Sequence, residues 1–212
     1  MVTGGAQGIG AAIAERLAAE GATVAIGDLK QDQAAEVADR IGGSAGELDV
    51  TSVDSVSAFV AEHGPFEILV NNAGTDEFGF FTQTTPEQWE RVMAVNLGGV
   101  FACTHAVLPA MQEAGYGRIV SIASEAGRVG SKGSAVYSAA KGAVIAFMKV
   151  IARENARYSI TANSIAPGPI ETPLLMQATE FGEMGKKLIQ TMPTVITMIM
   201  TLMTMISRRD GR

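Results

Sequence analysis

The chain has 212 residues, 47% of them apolar, and a net charge of -6. That length suits one α/β domain with a substantial core, and an acidic chain without a Lys/Arg-rich run argues against a surface that tracks nucleic-acid phosphates. The single cysteine, Cys103, excludes an internal disulfide and fits a reducing compartment; with only His63 and His105 beside it, there is no three-ligand set for a zinc-type alcohol dehydrogenase.

Apolar and polar segments alternate as a parallel sheet with crossover helices requires. Val2 to Thr3 is expected to be the last step of a strand, Gly8 to Glu20 a helix, and Ala22 to Asp28 a buried strand. Asp32 to Ile41 predicts a helix, Ala45 to Val50 a strand, and Val53 to His63 a helix. The run Glu67 to Val70 is a short apolar strand ending at Asn71-Asn-Ala-Gly74. A long helical stretch follows from Pro86 to about Ala114, then a strand Arg118 to Ser124, a helix from about Ser134 to Tyr158 and a strand Ile160 to Ile165. Together these make a doubly wound parallel sheet, a Rossmann-like three-layer αβα arrangement in a single domain. Residues 1–190 are expected to form that domain and 191–212 an atypical tail.

Both ends depart from the pattern. The first strand has barely two residues before its turn against about five or six for a typical strand, so either its true start lies upstream or the strand is clipped. From Met192 to Ile206 the chain is almost wholly Met, Thr, Ile, Leu and Val. Thr194, Thr197, Thr201 and Thr204 recur at helical spacing, while the uncharged β-branched content equally suits an aggregation-prone strand; both readings stand. No run reaches the roughly 20 apolar residues of a membrane span, and the N-terminus lacks the basic-then-apolar pattern of a signal peptide, so a cytoplasmic protein without a membrane partner is expected.

Thr3-Gly-Gly-Ala-Gln-Gly-Ile-Gly10 falls between a strand and a helix. There Gly4, Gly8 and Gly10 permit a tight turn and close approach of backbone to a pyrophosphate, with the helix N-terminus offering N–H groups to it, although an ordinary βα turn has the same composition. Asp28 ends the next strand about 20 residues on, where a carboxylate accepts hydrogen bonds from an adenosine ribose and repels a 2'-phosphate. Neither Leu29 nor Gln31 supplies a compensating guanidinium, which favours NAD over NADP. Asp49 and Val50 close the third strand beside the adenine, and Asn72, Ala73 and Gly74 close the fourth, so the signals converge beyond the carboxyl ends of the sheet.

Tyr137 and Lys141 lie one turn apart on a predicted helix. Charges about 4 Å apart at an effective dielectric of about 20 interact by about 4 kcal/mol, roughly three pK units, which would bring a phenol from about 10 toward about 7 unless desolvation cancels it. A Tyr/Lys pair at this spacing is also common on plain surfaces.

Taken together, Thr3-Gly4…Gly8-Ile9-Gly10, Asn71-Asn-Ala-Gly74, Asn96, Ser124, Tyr137-x-x-x-Lys141 and Pro167-Gly168 make the chain resemble the short-chain dehydrogenase/reductase family along residues 2 to about 176. The resemblance implies an oxidoreductase that interconverts a secondary alcohol and a ketone by hydride transfer with a nicotinamide cofactor. In it Tyr137 exchanges a proton with the substrate oxygen, Ser124 hydrogen-bonds that oxygen, and Lys141 lowers the Tyr137 pKa and holds the nicotinamide ribose. Asn96 supports a water that leads protons away, and Pro167, Gly168, Ile170 and Thr172 lie along the nicotinamide and its phosphates; Ile9 belongs to the Gly-rich turn.

Segments Asn72 to Phe78, Ile122 to Gly130 and Pro167 to Thr172 look like members that act on cyclic or β-hydroxyacyl coenzyme A thioesters, such as the 2-hydroxycyclohexanecarboxyl-CoA dehydrogenases, with 3-oxoacyl-carrier-protein reductases as near relatives. Family members are commonly tetramers or dimers, so a homo-oligomer acting on a small molecule is expected. The family-like text stops near Gln190, and the Met/Thr run stands where a last strand and much of the subunit contact would be, as a shifted reading frame or altered terminus produces. The rival expectation is therefore a family member that binds NAD(H) without catalysis. Trp89, Phe80 and Phe81 are candidates for a substrate pocket or for simple packing.

Overall fold

In the computed structural model, which describes residues 1–177 and Ile206, the alternation of the sequence becomes six strands and the helices between them. β1 (Val2–Thr3), β2 (Ala25–Asp28), β3 (Ser44–Glu47), β4 (Ile68–Asn71), β5 (Gly117–Ile122) and β6 (Ile160–Ile165) form one sheet in the order β3-β2-β1-β4-β5-β6. Every pairing is parallel. This is the doubly wound order, whose switch point between β1 and β4 opens a crevice at the carboxyl ends of the strands.

Because successive side chains of a strand point to opposite faces, each central strand feeds two cores. Leu69 and Ile119 pack on one side with Val56, Phe59, Cys103, Val107, Met111, Val144 and Met148. Their neighbours Val70 and Val120 pack on the other with Ile13, Leu17 and Val37. The first layer is built by α3 (Val53–His63), α5 (Gly99–Ala114) and α7 (Ala135–Asn155), the second by α1 (Gly8–Ala19) and α2 (Gln31–Ile41). Every residue of β5 is buried, as a parallel strand covered on both faces should be.

The expected long helix from Pro86 is present with an interruption. α4 (Pro86–Met93) starts at a capping box in which the Thr85 hydroxyl accepts from the Gln88 N–H and the Gln88 side chain accepts from the Thr85 N–H, with Pro86 in the first turn. It then passes through a π-turn at Ala94–Gly98 into α5. The strand expected over Ala45 to Val50 begins and ends earlier, at Ser44 and Glu47, because the Asp49 carboxylate takes the Thr51 N–H (2.9 Å) and hydroxyl (2.7 Å) and turns the chain. Two short helices, α6 (Ala126–Val129) and α8 (Pro173–Gln177), and a 3₁₀ turn at Phe81–Gln83 were not anticipated.

The continuous helical stretches Pro86–Ala114 and Ala135–Tyr158 do have the length and mean hydropathy (1.5) of a membrane span, although polar residues interrupt each apolar run. Their buried residues, from Val100 to Met111 and from Ala140 to Ile151, pack in the core. Of the Met/Thr stretch only Ile206 lies within the described residues, as a buried helical residue in the layer of α1 and α2. The choice between helix and strand for Met192 to Ile206, and the division at 190, lie otherwise outside the described residues.

Candidate active site

The turn after β1 and the end of β4 are sewn together at the switch point. The Thr3 hydroxyl accepts from the N–H groups of Asn72 and Ala73, both at 3.0 Å, and the Asn72 amide donates to the carbonyls of Thr3 (3.0 Å) and Gly4 (2.9 Å). α1 packs against this knot so tightly that a Cβ on Gly10 would lie 2.1 Å from the Gly4 carbonyl oxygen. Gly8 opens the helix with a φ of +56°, in the region that favours glycine. Gln7 provides no side-chain cap, so the first-turn N–H groups of α1 are left for an anionic ligand.

Asp28 is held ready at the tip of β2. Its two carboxylate oxygens accept one backbone N–H each, from Ala6 and Lys30, both at 3.0 Å, which leaves further lone pairs facing the cleft.

That cleft has a volume of about 880 Å³, within the range of sites that enclose small-molecule ligands. Gly4, Gly8, Ile9 and Asp28 line one end of it, with Asp49 and Val50 beside them and Asn72, Ala73 and Gly74 along the floor. Ser124, Tyr137 and Lys141 line the other end, closed over by Pro167, Gly168, Ile170 and Thr172. All these positions singled out from the sequence therefore share one cavity. Gly10 and Asn96 do not line it; both are buried behind its wall.

At the chemical end, Ser124 follows β5, and Tyr137 and Lys141 project from α7. Ser124 and Tyr137 line the cleft together, and the Ser124 hydroxyl accepts the Ala126 N–H at 3.1 Å. The Lys141 side chain is 4% exposed; its ammonium donates to the Ile122 carbonyl at 2.8 Å and lies 5.6 Å from the centre of the Tyr137 ring. Burial pulls the lysine down to about 8, opposed by the nearby Asp76 carboxylate.

The expectation that Lys141 draws the phenol toward neutrality is not met in this geometry. Tyr137 is shifted upward, first by burial and then by the charge of Asp76, against the downward pull of the Ser124 hydrogen bond. The reason is geometric: the ammonium is tied to the Ile122 carbonyl and sits over the ring.

Asn96 occupies the π-turn. Its amide donates to the carbonyls of Thr75 (2.7 Å) and Val92 (2.8 Å), while its own buried oxygen has no hydrogen-bond partner. It is thus the helix-kink residue, and its oxygen lies behind the Gly74 wall of the cleft: a Cβ on Gly74 would be 2.9 Å from the Asn96 oxygen and 3.4 Å from the Lys141 nitrogen.

Sequence reasoning named the loop after Gly74 without giving any residue in it a role. Asp76 lines the cleft, its carboxylate accepts the Glu77 N–H (2.8 Å), and burial lifts its carboxyl to about 6. Glu77 makes a two-pronged ion pair with Arg91 of α4, at 2.7 and 3.0 Å. The signal was available: two acids directly follow an Asn-Asn-Ala-Gly strand end, where the chain runs past the catalytic helix. Trp89 and Phe81 stack at 5.2 Å and, with Asp76 and Tyr137, line a side recess off the cleft, whereas Phe80 is exposed beneath the Lys132 ammonium.

A doubly wound sheet with a glycine turn at its switch point, an acid at the tip of β2 and a Ser/Tyr/Lys cluster at the far end of one cleft defines a nicotinamide-dinucleotide oxidoreductase. The short chain dehydrogenase model matches residues 1–182, and the chain belongs to that family. It is 41% identical over 185 residues to an acetoacetyl-CoA reductase of Rhizobium meliloti (strain 1021), covering 85% of this chain and 77% of that protein. It is 41% identical over 180 residues to a 3-oxoacyl-[acyl-carrier-protein] reductase of Escherichia coli (strain K12), covering 82% and 74%. An uncharacterized oxidoreductase of Bacillus subtilis (strain 168) is 40% identical over 199 residues, covering 88% and 72%. The chain is accordingly an NAD(P)-dependent oxidoreductase that interconverts a secondary alcohol and a ketone.

Proposed function

We propose that the chain is an NAD(H)-dependent reductase of 3-oxoacyl thioesters in which Tyr137, Ser124, Lys141 and Asn96 carry the chemistry. The observation that carries this reading is the meeting of Ser124, Tyr137 and the buried Lys141 in one cleft with the glycine turn and Asp28. Bound NADH supplies the hydride that reaches the carbonyl carbon.

As negative charge grows on the carbonyl oxygen, the Tyr137 hydroxyl gives it a proton and Ser124 donates a hydrogen bond to it. A phenol shifted upward remains protonated through the neutral range and so stays competent as an acid. The Lys141 ammonium, held by the Ile122 carbonyl 5.6 Å from the centre of the Tyr137 ring, is assigned to the nicotinamide ribose hydroxyls. The unpaired Asn96 oxygen suits a water through which the proton is replaced.

The preference for NAD rests on Asp28, pre-oriented by two backbone donors where a 2'-phosphate would meet like charge. The thioester substrate rests on the names of two relatives, one acting on acetoacetyl-CoA and one on 3-oxoacyl groups of a carrier protein. A cytoplasmic setting fits the single thiol Cys103, which is buried and raised to about 12 by desolvation. Association into a homo-oligomer fits the half-exposed Phe101 packed on Phe147 across α5 and α7.

The test is oxidation of NADH by the purified full-length chain with acetoacetyl-CoA, with a simple ketone in parallel and NADPH in place of NADH. Acetoacetyl-CoA turned over with at least a tenfold preference for NADH is expected. Turnover of the simple ketone alone would overturn the thioester assignment, and a preference for NADPH would overturn the role of Asp28.

A further inference from the structure

The loop 75–79 leaves the end of β4 and runs along the chemical end of the cleft, and three separate ties hold it. At its start the Thr75 carbonyl accepts the Asn96 amide at 2.7 Å, which fastens the loop to the π-turn. At its end the Gly79 N–H donates to the Gly133 carbonyl at 2.8 Å and Gly79 bridges Ser134, which fastens it to the chain just ahead of Tyr137. Between these, Glu77 is gripped by Arg91 of α4: Nε donates to one carboxylate oxygen at 2.7 Å and a terminal guanidinium nitrogen donates to the other at 3.0 Å. Glu77 lines both the cleft and the side recess that holds Tyr137, and Arg91 lines the cleft.

We infer that Glu77 and Arg91 are positioning residues for the reaction: their ion pair clamps the 75–79 loop against α4 and so keeps the chemical end of the cleft formed around Tyr137 and Asn96. This rests on the reading of Tyr137 as the proton donor to a bound 3-oxoacyl thioester.

The three ties differ in kind. The outer two use backbone groups and a buried amide, and they come with the fold. The middle one is made by two side chains near the surface, with Arg91 60% and Glu77 23% exposed. Such a pair adds little to the stability of a domain, but a fork of two parallel bonds fixes direction as a single charge does not. The guanidinium also holds the Glu77 carboxyl below the usual carboxylate range, so the pair stays ionised at neutral pH.

A displacement at the middle of the loop is passed to both of its anchored ends, one on Asn96 and the other beside the start of α7. Misplacement of reacting groups by about 1 Å can cost about a hundredfold in rate. An exposed pair shifts the balance between held and released loop by only about fivefold, so the loss on breaking it is partial.

The test is charge reversal in the full-length protein. Glu77→Arg and Arg91→Glu each set like charges face to face, and the double variant restores an ion pair with its partners exchanged. With NADH and acetoacetyl-CoA, each single reversal is expected to lower kcat by about threefold to tenfold. The NADH dissociation constant should stay within about twofold and the melting temperature should fall by no more than about 3 °C. The double variant should recover most of the lost kcat. A pair that only supports the fold would instead lower the melting temperature and leave kcat at room temperature unchanged.

Trp89, the chain's one tryptophan, reports the loop without turnover, because it stacks on Phe81 and shares the side recess with Glu77. Quenching of its fluorescence by acrylamide should rise in each single reversal and return toward the parent in the double variant.

Single reversals with the parent's kcat overturn the inference, as does a double variant no more active than either single. If a reversal does not fold, Glu77→Gln and Arg91→Lys take its place, each weakening the fork and each expected to lower kcat by a smaller factor; a parental kcat in both overturns the inference equally. If the parent does not reduce thioesters, the reading of function fails, while Trp89 quenching still decides whether the pair holds the loop, and unchanged quenching overturns the clamp.

Discussion

At the glycine-turn end of the cleft the work falls to main-chain atoms: the uncapped amides of α1, the Gly4/Gly10 contact and two backbone donors on Asp28. At the chemical end it falls to side chains, with Ser124, Tyr137, Lys141, Asn96 and Asp76 meeting from four separate segments of the chain. A backbone site tolerates exchange of side chains but not of volume, because its geometry is the fold itself. A side-chain site has the opposite sensitivity, since a single atom can be removed without disturbing the fold.

The largest expected effect is that of Tyr137→Phe. Losing one oxygen is expected to cut kcat by about 100-fold to 10,000-fold while NADH affinity, measured by fluorescence titration, stays within about twofold. An equal loss of NADH binding would show that the two ends are not separable.

Lys141→Met comes next, and it separates activity from stability. Because burial lowers the lysine in the folded state from 10.5 to about 8, the folded chain binds this proton less readily than the unfolded chain. The penalty is complete below about pH 8 and fades as pH rises from 8 toward 10.5. The Met variant should therefore be inactive yet more stable at pH 7, by up to roughly 3 kcal/mol in denaturant melts, with the gain shrinking above pH 8.

At the backbone end, Gly10→Ala places a methyl against the Gly4 carbonyl and is expected to cost about 1–3 kcal/mol of stability and to weaken NADH binding with it. An unchanged melting temperature with intact binding would contradict the close approach. The smallest expected effect is that of Asp28→Ala, which should narrow the ratio of NADH to NADPH affinity by about tenfold and leave kcat with NADH nearly unchanged.

The same division governs what was legible in the sequence. Strands β4 and β5 were placed within two residues of their ends because they are buried, largely apolar runs, and the edge strand β6 because Ile160, Ala162 and Ile165 supply its buried positions. The glycine turn, Asp28 and the Tyr137/Lys141 spacing were legible because the chemistry demands particular residue types at those points.

The edge strand β3 was misplaced because its half-exposed Ser44-Ala-Gly-Glu47 carries no apolar signal. The direction of the Tyr137 shift was missed because spacing on a helix does not say where a flexible ammonium ends up; here it reaches the Ile122 carbonyl. Asp76 was passed over because the loop after β4 reaches the cleft beside α7 only in the folded chain, and no local pattern records that.

The π-turn at Ala94–Gly98 has a consequence for inheritance as well as for geometry. An extra residue in a helix rotates everything that follows by about 100°, so the inward set Val100, Cys103, Thr104, Val107 and Met111 faces the sheet only because that residue is there. Deleting one residue between 94 and 98 would swing those side chains off the core at the same stroke that withdraws Asn96 from the site. The bulge therefore has no partial form: a lineage keeps it whole or rebuilds the helical phase of α5 from the beginning.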